Sequence, residues 1–144
     1  MKKALISLMV ILGAGTTLYA TKGDDPDEAR IREVVDLYFN GVVNADRALL
    51  ERAWDRNAHM KHVKADRDGI EAVHVVPIDV AFEWWTRVKA KTSLGKVLSV
   101  DIVDGKMAFV KFEFHYNKLD YIDYLSLYKV NGEWKIVNKT FVRR

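Results

Sequence analysis

The last third of the chain alternates large apolar residues with polar ones, which is the pattern of β-strands that bury one face. The runs over residues 107–116, 120–130 and 133–142 show this pattern most clearly. Asp104-Gly105 and Asn131-Gly132 interrupt the alternation, and such pairs favour tight hairpin turns. The sequence therefore predicts a meander of antiparallel strands.

The N-terminal half shows helical spacing instead. After Asp25, which can cap a helix that begins at Pro26, apolar residues recur at intervals of three and four. They are Ile31, Val34, Val35, Tyr38, Phe39, Val42 and Val43. Asp46 can cap a second, shorter helix over residues 47–54. We expect the first helix to lie across the sheet.

The pattern changes twice between these helices and the meander. Residues 58–64 are typical of a short strand, residues 66–69 of a turn, and residues 70–76 of an extended segment. A third helix is expected after Pro77. Its apolar stripe is Ile78, Ala81, Phe82, Trp85 and Val88. Trp84 lies off that stripe and can face a groove or a partner, whereas Trp134 is expected in the core.

The predicted turns decide which strand residues share a face. A three-residue loop at Asp104-Gly105, followed by short loops, places a continuous apolar face toward the first helix. Phe112, Leu125 and Ile136 mark this inner face. Its other expected members are Leu98, Val100, Ile102, Ala108, Val110, Phe114, Leu127 and Trp134, with the polar Tyr116, Tyr121, Asp123, Asn138 and Thr140 gathered at one end. A slip of one residue in either later turn would reverse the assignment.

The opposite face of the sheet is rich in aromatic residues. Its expected members are Phe109, Tyr124, Tyr128 and Phe141, interspersed with Lys111, Glu113 and Lys139. A surface this aromatic is more typical of a protein contact than of a wetted face. We therefore expect a homodimer formed through the sheet.

The first twenty residues have the layout of a secretory signal peptide. A basic start, Met1-Lys2-Lys3, precedes an apolar run over 4–12 and a small, weakly polar segment that ends at Ala20. The apolar run is too short for a permanent membrane span. We expect cleavage after Ala20, a periplasmic or secreted bacterial protein with no membrane attachment, an exposed tail over 21–26, and one domain over 27–144.

Cleavage would also change the charge balance. The whole chain carries 23 basic and 20 acidic residues, for a net charge of +3. Without Lys2 and Lys3 the balance is 21 against 20. No basic run is interleaved with aromatic residues, so a nucleic-acid partner is not supported.

Asp123 is the most informative polar residue. On the inner face, beside Phe114, Tyr121 and Leu125, its carboxyl would be desolvated. Desolvation raises the pKa of a carboxyl and suits it to act as a general acid or base. The alternative is a structural carboxylate that is hydrogen-bonded to a tyrosine or to Asn138.

His59 and His62 first suggest a metal pair. Residues three apart on a strand point to opposite faces, so the two imidazoles are not expected to share an ion, and we predict no metal. His62, or else His59, can instead pair with Asp123 as base and orienting group, and the alternative is a structural histidine. No phosphate loop, serine-nucleophile motif or cysteine pair is present, so no cofactor is expected.

The order of these elements resembles the nuclear transport factor 2-like superfamily. The matching pieces are Tyr38-Phe-Asn-Gly41, the helix over 46–54 with Asn57-Ala58 after it, and the stretch over 123–139. Within the superfamily, the chain resembles the small bacterial proteins labelled "putative lumazine-binding". The resemblance implies an α+β cone, in which three N-terminal helices pack on a strongly curved antiparallel sheet. Such cones enclose a pocket and often dimerise through the sheet.

The superfamily includes ketosteroid isomerases, scytalone dehydratase, polyketide cyclases, epoxide hydrolases and non-enzymes, so the fold leaves function open. An isomerase pattern of a tyrosine with two acids does not map onto this chain. Our first hypothesis is a binding protein for a small hydrophobic or aromatic ligand. Its expected pocket residues are Tyr38, Trp54, His59, Tyr116, Tyr121, Asp123 and Asn138. The alternatives are a cofactor-free lyase, isomerase or cyclase that uses Asp123 with a histidine or tyrosine, and a dimeric interaction protein with a filled cone.

Overall fold

A computed structural model describes residues 25–144 of the chain. The predicted signal peptide and nearly all of the predicted exposed tail lie outside these described residues. Within them, no helix combines the length and the apolar character needed to cross a membrane.

Three helices pack on one side of an open, curved, six-stranded sheet, which confirms the predicted α+β architecture. The elements are α1 (Pro26–Asn44), α2 (Arg47–Ala53), β1 (Trp54–Ala65), β2 (Glu71–Pro77), α3 (Ile78–Trp85), β3 (Ser93–Val103), β4 (Met107–Tyr116), β5 (Leu119–Val130) and β6 (Glu133–Arg143). The strand order is β2-β1-β6-β5-β4-β3. Every neighbouring pair is antiparallel except β1 and β6, which are parallel. The C-terminal meander is therefore extended at its β6 edge by the β1–β2 hairpin.

The helix starts follow the capping residues in the sequence. The Asp25 carboxylate accepts a hydrogen bond from the backbone N–H of Asp27 at 2.8 Å, and Asp46 does the same for Leu49 at 3.2 Å. The third helix is shorter than predicted. It ends at Trp85, where the Thr86 hydroxyl donates to the Phe82 carbonyl at 2.8 Å. The predicted inward position of Val88 is therefore wrong, because that residue lies beyond the helix and is exposed.

Polar contacts also fasten the start of α1 to the sheet. The Trp134 indole Nε1 donates to the Asp27 carboxylate at 2.9 Å, and Lys129 Nζ lies 2.8 Å from the same oxygen. These donors hold the pKa of the Asp27 carboxyl below its usual value. Trp134 is itself buried, as predicted. The β5–β6 hairpin and the N-terminal turn of α1 are thus held together.

The inner face of the sheet points at α1, as predicted. Phe112, Leu125 and Ile136 are at most 2% exposed and belong to the same buried cluster as Ile31 and Val35 of α1. The Asn131-Gly132 turn has the expected two-residue form, with positive φ at both positions. The alternation along β4 and β5 therefore follows the local pattern of the sequence.

A bulge in β3 alters one predicted position. Val97 pairs with Phe112, but Ser99 pairs with Lys111, so Leu98 is an extra residue in this strand. Val97 takes the inner place that the alternation assigned to Leu98. Leu98 is exposed, and its prediction as an inner residue is wrong.

A second bulge, in β6, has larger consequences. Leu127 pairs with Ile136, whereas Ser126 pairs with Asn138, so Val137 is the extra residue. Beyond it the alternation is reversed. Lys139 and Phe141 face inward, and Asn138 and Thr140 face outward, which corrects the predicted sides of all four residues.

The outer face of the sheet is aromatic, as the sequence indicates. Phe109, Tyr124 and Tyr128 are 43%, 50% and 49% exposed. Lys111 Nζ lies 5.7 Å from the centre of the Tyr124 ring. Three large rings on adjacent strands are therefore left in contact with solvent.

Gly41 generates a prediction about the contact of α1 with α2. A Cβ built on Gly41 would lie 2.7 Å from the Leu50 side chain and 3.1 Å from the Leu50 backbone nitrogen. We expect Gly41→Ala to lower the free energy of unfolding by about 1–3 kcal/mol, because the backbone of Leu50 is held in α2. The expected loss has the opposite sign to the usual effect of a Gly→Ala substitution inside a helix, which stabilises by roughly 0.5–1 kcal/mol. Urea denaturation measures the change.

Asn40→Ala is the matched control, because Asn40 is the exposed neighbour of Gly41 on the same helix. Its effect should stay within about 0.5 kcal/mol. A Gly41→Ala protein as stable as the wild type would show that the two helices are not in tight contact.

Candidate functional site

A cavity of about 680 Å³ opens between α1, α3 and one end of the sheet. At this end lie the last residues of β4, the first residues of β5 and the last residues of β6. About half of the residues in its wall are aromatic. The rings that line it include Tyr38, Trp84, Trp85, Phe114, Tyr116 and Tyr121. The size and the mainly apolar wall are those of a small-molecule site.

Three polar side chains meet beneath this cavity. Tyr38 donates a hydrogen bond to Asp123 Oδ2 at 2.9 Å, and Lys139 Nζ donates to the Tyr38 hydroxyl at 2.6 Å. The ammonium of Lys139 lies 2.9 Å from the same Asp123 oxygen. Asp123 is 0% exposed and Lys139 is 5% exposed. The cluster therefore contains a carboxylate and an ammonium that have both been removed from water.

Aromatic rings surround the Lys139 ammonium. Its nitrogen lies 4.6 Å from the ring centre of Phe141, 5.2 Å from that of Tyr38 and 5.5 Å from that of Trp85. These distances are within the range of cation–π attraction. The rings offset part of the cost of burying the charge, and Asp123 supplies the opposite charge.

Burial and charge control the protonation of the tyrosines. Burial, and then the negative charge of Asp123, raise the pKa of Tyr38 well above its ordinary value. Burial also raises the pKa of Tyr121. Both phenols are therefore neutral near pH 7. The single proton of Tyr38 is committed to Asp123.

His62 is placed at the cavity by the β1–β2 hairpin. Its ring stacks on His74, the directly opposite residue of β2, at 5.8 Å between ring centres, and lies 5.2 Å from Phe141. Burial, and then the proximity of His74, lower the pKa of His62. The imidazole is therefore neutral at pH 7. Its Nδ1 is buried and has no hydrogen-bond partner among residues 25–144.

The cavity brings together some of the residues that the sequence singles out. Tyr38, His62, Tyr116 and Tyr121 line it. Asp123 lies behind Tyr38 and Lys139 and is not part of the wall.

Three other predicted pocket residues are placed elsewhere. Trp54 is buried behind Tyr38, with the two ring centres 5.3 Å apart and the planes nearly perpendicular. His59 is exposed. Asn138 faces outward because of the β6 bulge, and it accepts a hydrogen bond from Lys61 at 3.0 Å. None of the three lines the cavity.

Lys139 is the site residue that the sequence reasoning missed. Strict alternation from Ile136 assigns it to the outer face, and the inserted Val137 moves it inward. Lys139 is paired with Leu125 of β5, whose side chain faces inward, and this cross-strand pairing places Lys139 on the inner face as well. The same bulge brings Phe141 toward the cavity, and Arg143 also lines the cavity.

No metal cluster is formed by the part of the chain that the structure describes, since no three histidine, aspartate or glutamate side chains there are grouped closely enough to hold an ion. The paired His62 and His74 are two potential ligands without a third. The described residues instead place aromatic rings, the buried ammonium of Lys139 and the neutral imidazole of His62 at the cavity.

Three helices on a curved, open sheet with a cavity between them define a nuclear transport factor 2-like protein. Among similar solved structures are two NTF2-like proteins of unknown function. The one from Shewanella baltica has a TM-score of 0.72 and 23% identity, with 82% of this chain and 94% of that chain covered. The one from Methylobacillus flagellatus has a TM-score of 0.71 and 26% identity, with 82% and 92% covered.

A ketosteroid isomerase-like protein from Erwinia carotovora atroseptica is also similar, with a TM-score of 0.62, 16% identity, and 83% of this chain and 97% of that chain covered. The family described as "Putative lumazine-binding" matches residues 26–142, and the chain belongs to that family. No curated protein matches this chain.

The buried ion pair generates a prediction about stability. Lys139→Met leaves the Asp123 carboxylate buried without its counter-charge, so we expect it to lower the free energy of unfolding by about 3–5 kcal/mol. Adding Asp123→Asn removes the isolated charge and keeps an acceptor for Tyr38, so the double variant should be more stable than the single one. Urea denaturation of the wild type, both single variants and the double variant gives the coupling energy.

Lys111→Met serves as a control, since Lys111 lies on the outer face near Tyr124 and its loss should change stability by less than about 1 kcal/mol. Additive effects of the two inner substitutions would show that Lys139 and Asp123 do not interact in the folded protein.

Proposed function

We propose that this protein binds a small, mainly apolar or aromatic molecule inside the cone. The observation that carries the proposal is the open cavity of about 680 Å³ with aromatic walls. A filled cone, which would suit a purely structural interaction protein, does not have such a space. The family description and the fold are consistent with a ligand-binding protein.

The polar groups favour binding over catalysis. Asp123, the candidate acid or base, lies behind the wall, and its Oδ2 already faces both Tyr38 and Lys139. Tyr38 donates its only proton to Asp123 and accepts from Lys139. Acid–base catalysis requires two available groups that converge on the substrate. His62 lines the cavity as a neutral base, and Tyr116 and Tyr121 line it as phenols, but the carboxylate that would pair with one of them is not in the wall.

The binding proposal is tested with N-phenyl-1-naphthylamine, a neutral fluorophore that brightens in apolar surroundings. We expect saturable binding by the wild type. Val42→Phe places a larger side chain in the cavity wall and should weaken binding by at least about tenfold, or 1.4 kcal/mol. Fluorescence titration gives both dissociation constants.

Val130→Phe introduces the same residue at an exposed position outside the cavity and should leave binding unchanged. Lack of binding by the folded wild type, or equal affinity of the Val42→Phe protein, contradicts the proposal.

We also propose that the chain is exported and that residues 1–20 are removed. The support is the basic, apolar and small-residue succession at the start of the sequence. Native mass spectrometry of the protein from the periplasm or medium of its own host tests the export proposal and the ligand-binding proposal together. The expected mass is that of a chain beginning at Thr21 together with a retained small molecule.

A homodimer through the outer sheet face is the third part of the proposal. Its support is the set of exposed rings Phe109, Tyr124 and Tyr128 on adjacent strands. Tyr128→Glu should convert a dimer to a monomer in sedimentation velocity, because it places a charge among those rings. Val88→Glu changes an exposed apolar residue away from this face and should leave the dimer intact. A wild-type monomer at high micromolar concentration contradicts this part.

A further inference from the structure

We infer that the cavity takes a flat, mainly apolar anion, such as an aromatic carboxylate or a phenolate, with its acidic oxygen directed at Lys139. The inference rests on the proposed binding function and names the class of ligand. It follows from the charges that line the cavity, from the bonding capacity of Lys139 and from the rings around it.

The ionisable side chains that line the cavity are basic or neutral. Lys139 lies at depth, and Arg143 is exposed nearer the surface. His62 adds a neutral imidazole at pH 7. No aspartate or glutamate among residues 25–144 lines the cavity. Asp123 balances the charge of Lys139 from behind the wall, so the uncompensated positive charge at the cavity, among the described residues, is that of Arg143. A positive charge beside a low-dielectric cleft attracts anionic ligands.

Lys139 retains bonding capacity toward the cavity. An ammonium has three N–H donors. Within the described part of the chain, its polar partners are the Tyr38 hydroxyl at 2.6 Å and Asp123 Oδ2 at 2.9 Å. At least one donor is therefore left over on a side chain that lines the cavity. An acceptor oxygen of a ligand would satisfy it, whereas a ligand without an acceptor would leave it unpaired in apolar surroundings.

The same geometry disfavours a cationic ligand. Aromatic cages bind cations through the faces of their rings. Here the Lys139 ammonium already lies near the faces of Tyr38, Trp85 and Phe141, at 4.6–5.5 Å from the ring centres. A second cation in the cavity would meet this charge without a carboxylate in the wall to offset it.

The wall also favours a flat ligand. Phe114 meets Tyr38 and Tyr116 edge-to-face, with ring centres 5.8 Å and 6.2 Å apart. The ring centre of Trp85 lies 5.5 Å from that of Tyr38. A planar ring can continue this arrangement of aromatic contacts, which prefer offset or edge-to-face geometry. Arg143 can then stabilise the same negative charge from the mouth of the cavity.

The test compares 2-naphthoate with 2-naphthamide, two probes with the same ring system that differ in charge. Isothermal titration calorimetry at pH 7 and low salt should give the acid an affinity at least about tenfold above that of the amide, because hydrogen bonds to charged partners are the stronger ones. Arg143→Gln should reduce this preference by about threefold, and added salt should do the same. Arg144→Gln is the matched control, since Arg144 is adjacent and lies outside the cavity wall.

The double variant Lys139→Met with Asp123→Asn removes the buried charges without leaving one unpaired. Its ratio of acid to amide affinity should fall to about three, which is the part of the preference that Arg143 still supplies, and the ratio is informative even if both probes bind more weakly. Equal affinities of the wild type for the acid and the amide, or a ratio of the two affinities that is the same in the double variant as in the wild type, overturns the inference. If this variant does not fold, Arg143→Gln still tests the charge dependence.

The two proposals fail differently. Binding of N-phenyl-1-naphthylamine or 2-naphthamide without a preference for 2-naphthoate overturns the anion inference and leaves the binding function standing. Absence of binding by all three probes to folded protein overturns both.

Discussion

The contact between the Lys139 ammonium, the Asp123 carboxylate and the Tyr38 hydroxyl is the constraint on which the rest of the site depends. Removing two charges from water is expensive, and a buried pair repays that cost only with close geometry and further hydrogen bonds. Here Tyr38 adds hydrogen bonds from α1, while the two charged residues come from adjacent strands of the sheet. All of these contacts are made by Asp123 Oδ2, and Oδ1 has no partner among residues 25–144. The helix therefore lies where its tyrosine can reach both charges. A shift of α1 along the sheet would remove the Tyr38 hydroxyl from both charges, and the buried pair would lose its further hydrogen bonds.

This arrangement separates the interior into two regions. On one side, Ile31, Val35, Leu125 and Ile136 form a close-packed apolar core between the helix and the sheet. On the other side, aromatic rings line the cavity and leave space between them. The polar cluster lies at the boundary, so the cavity has a charged floor and apolar walls.

The cone is used by enzymes and by non-enzymes alike, so the side chains of the site must carry any functional argument. In this chain Asp123, whose sequence neighbours suggest an acid–base role, lies behind the cavity wall and contacts Tyr38 and Lys139. The group left available to a ligand is an ammonium. That difference supports our proposal that the site recognises an acceptor oxygen, and it is specific to the side chains present here.

The sequence by itself determined the order of the elements, the capped helix starts, the two-residue Asn131-Gly132 turn and the inner face of β4 and β5, because each of these depends on residues that are near one another along the chain. Three of the residues that it proposed for a ligand pocket, Tyr38, Tyr116 and Tyr121, lie in the wall of the cavity. Only the tertiary structure decided the rest of the site. An extra residue at Val137 is accommodated through the pairing of β6 with β5, and it exchanges Asn138 for Lys139 on the inner face. Alternation is a local property, whereas a bulge depends on the partner strands, so the residue that gives the cavity its charge could not be read from the pattern alone.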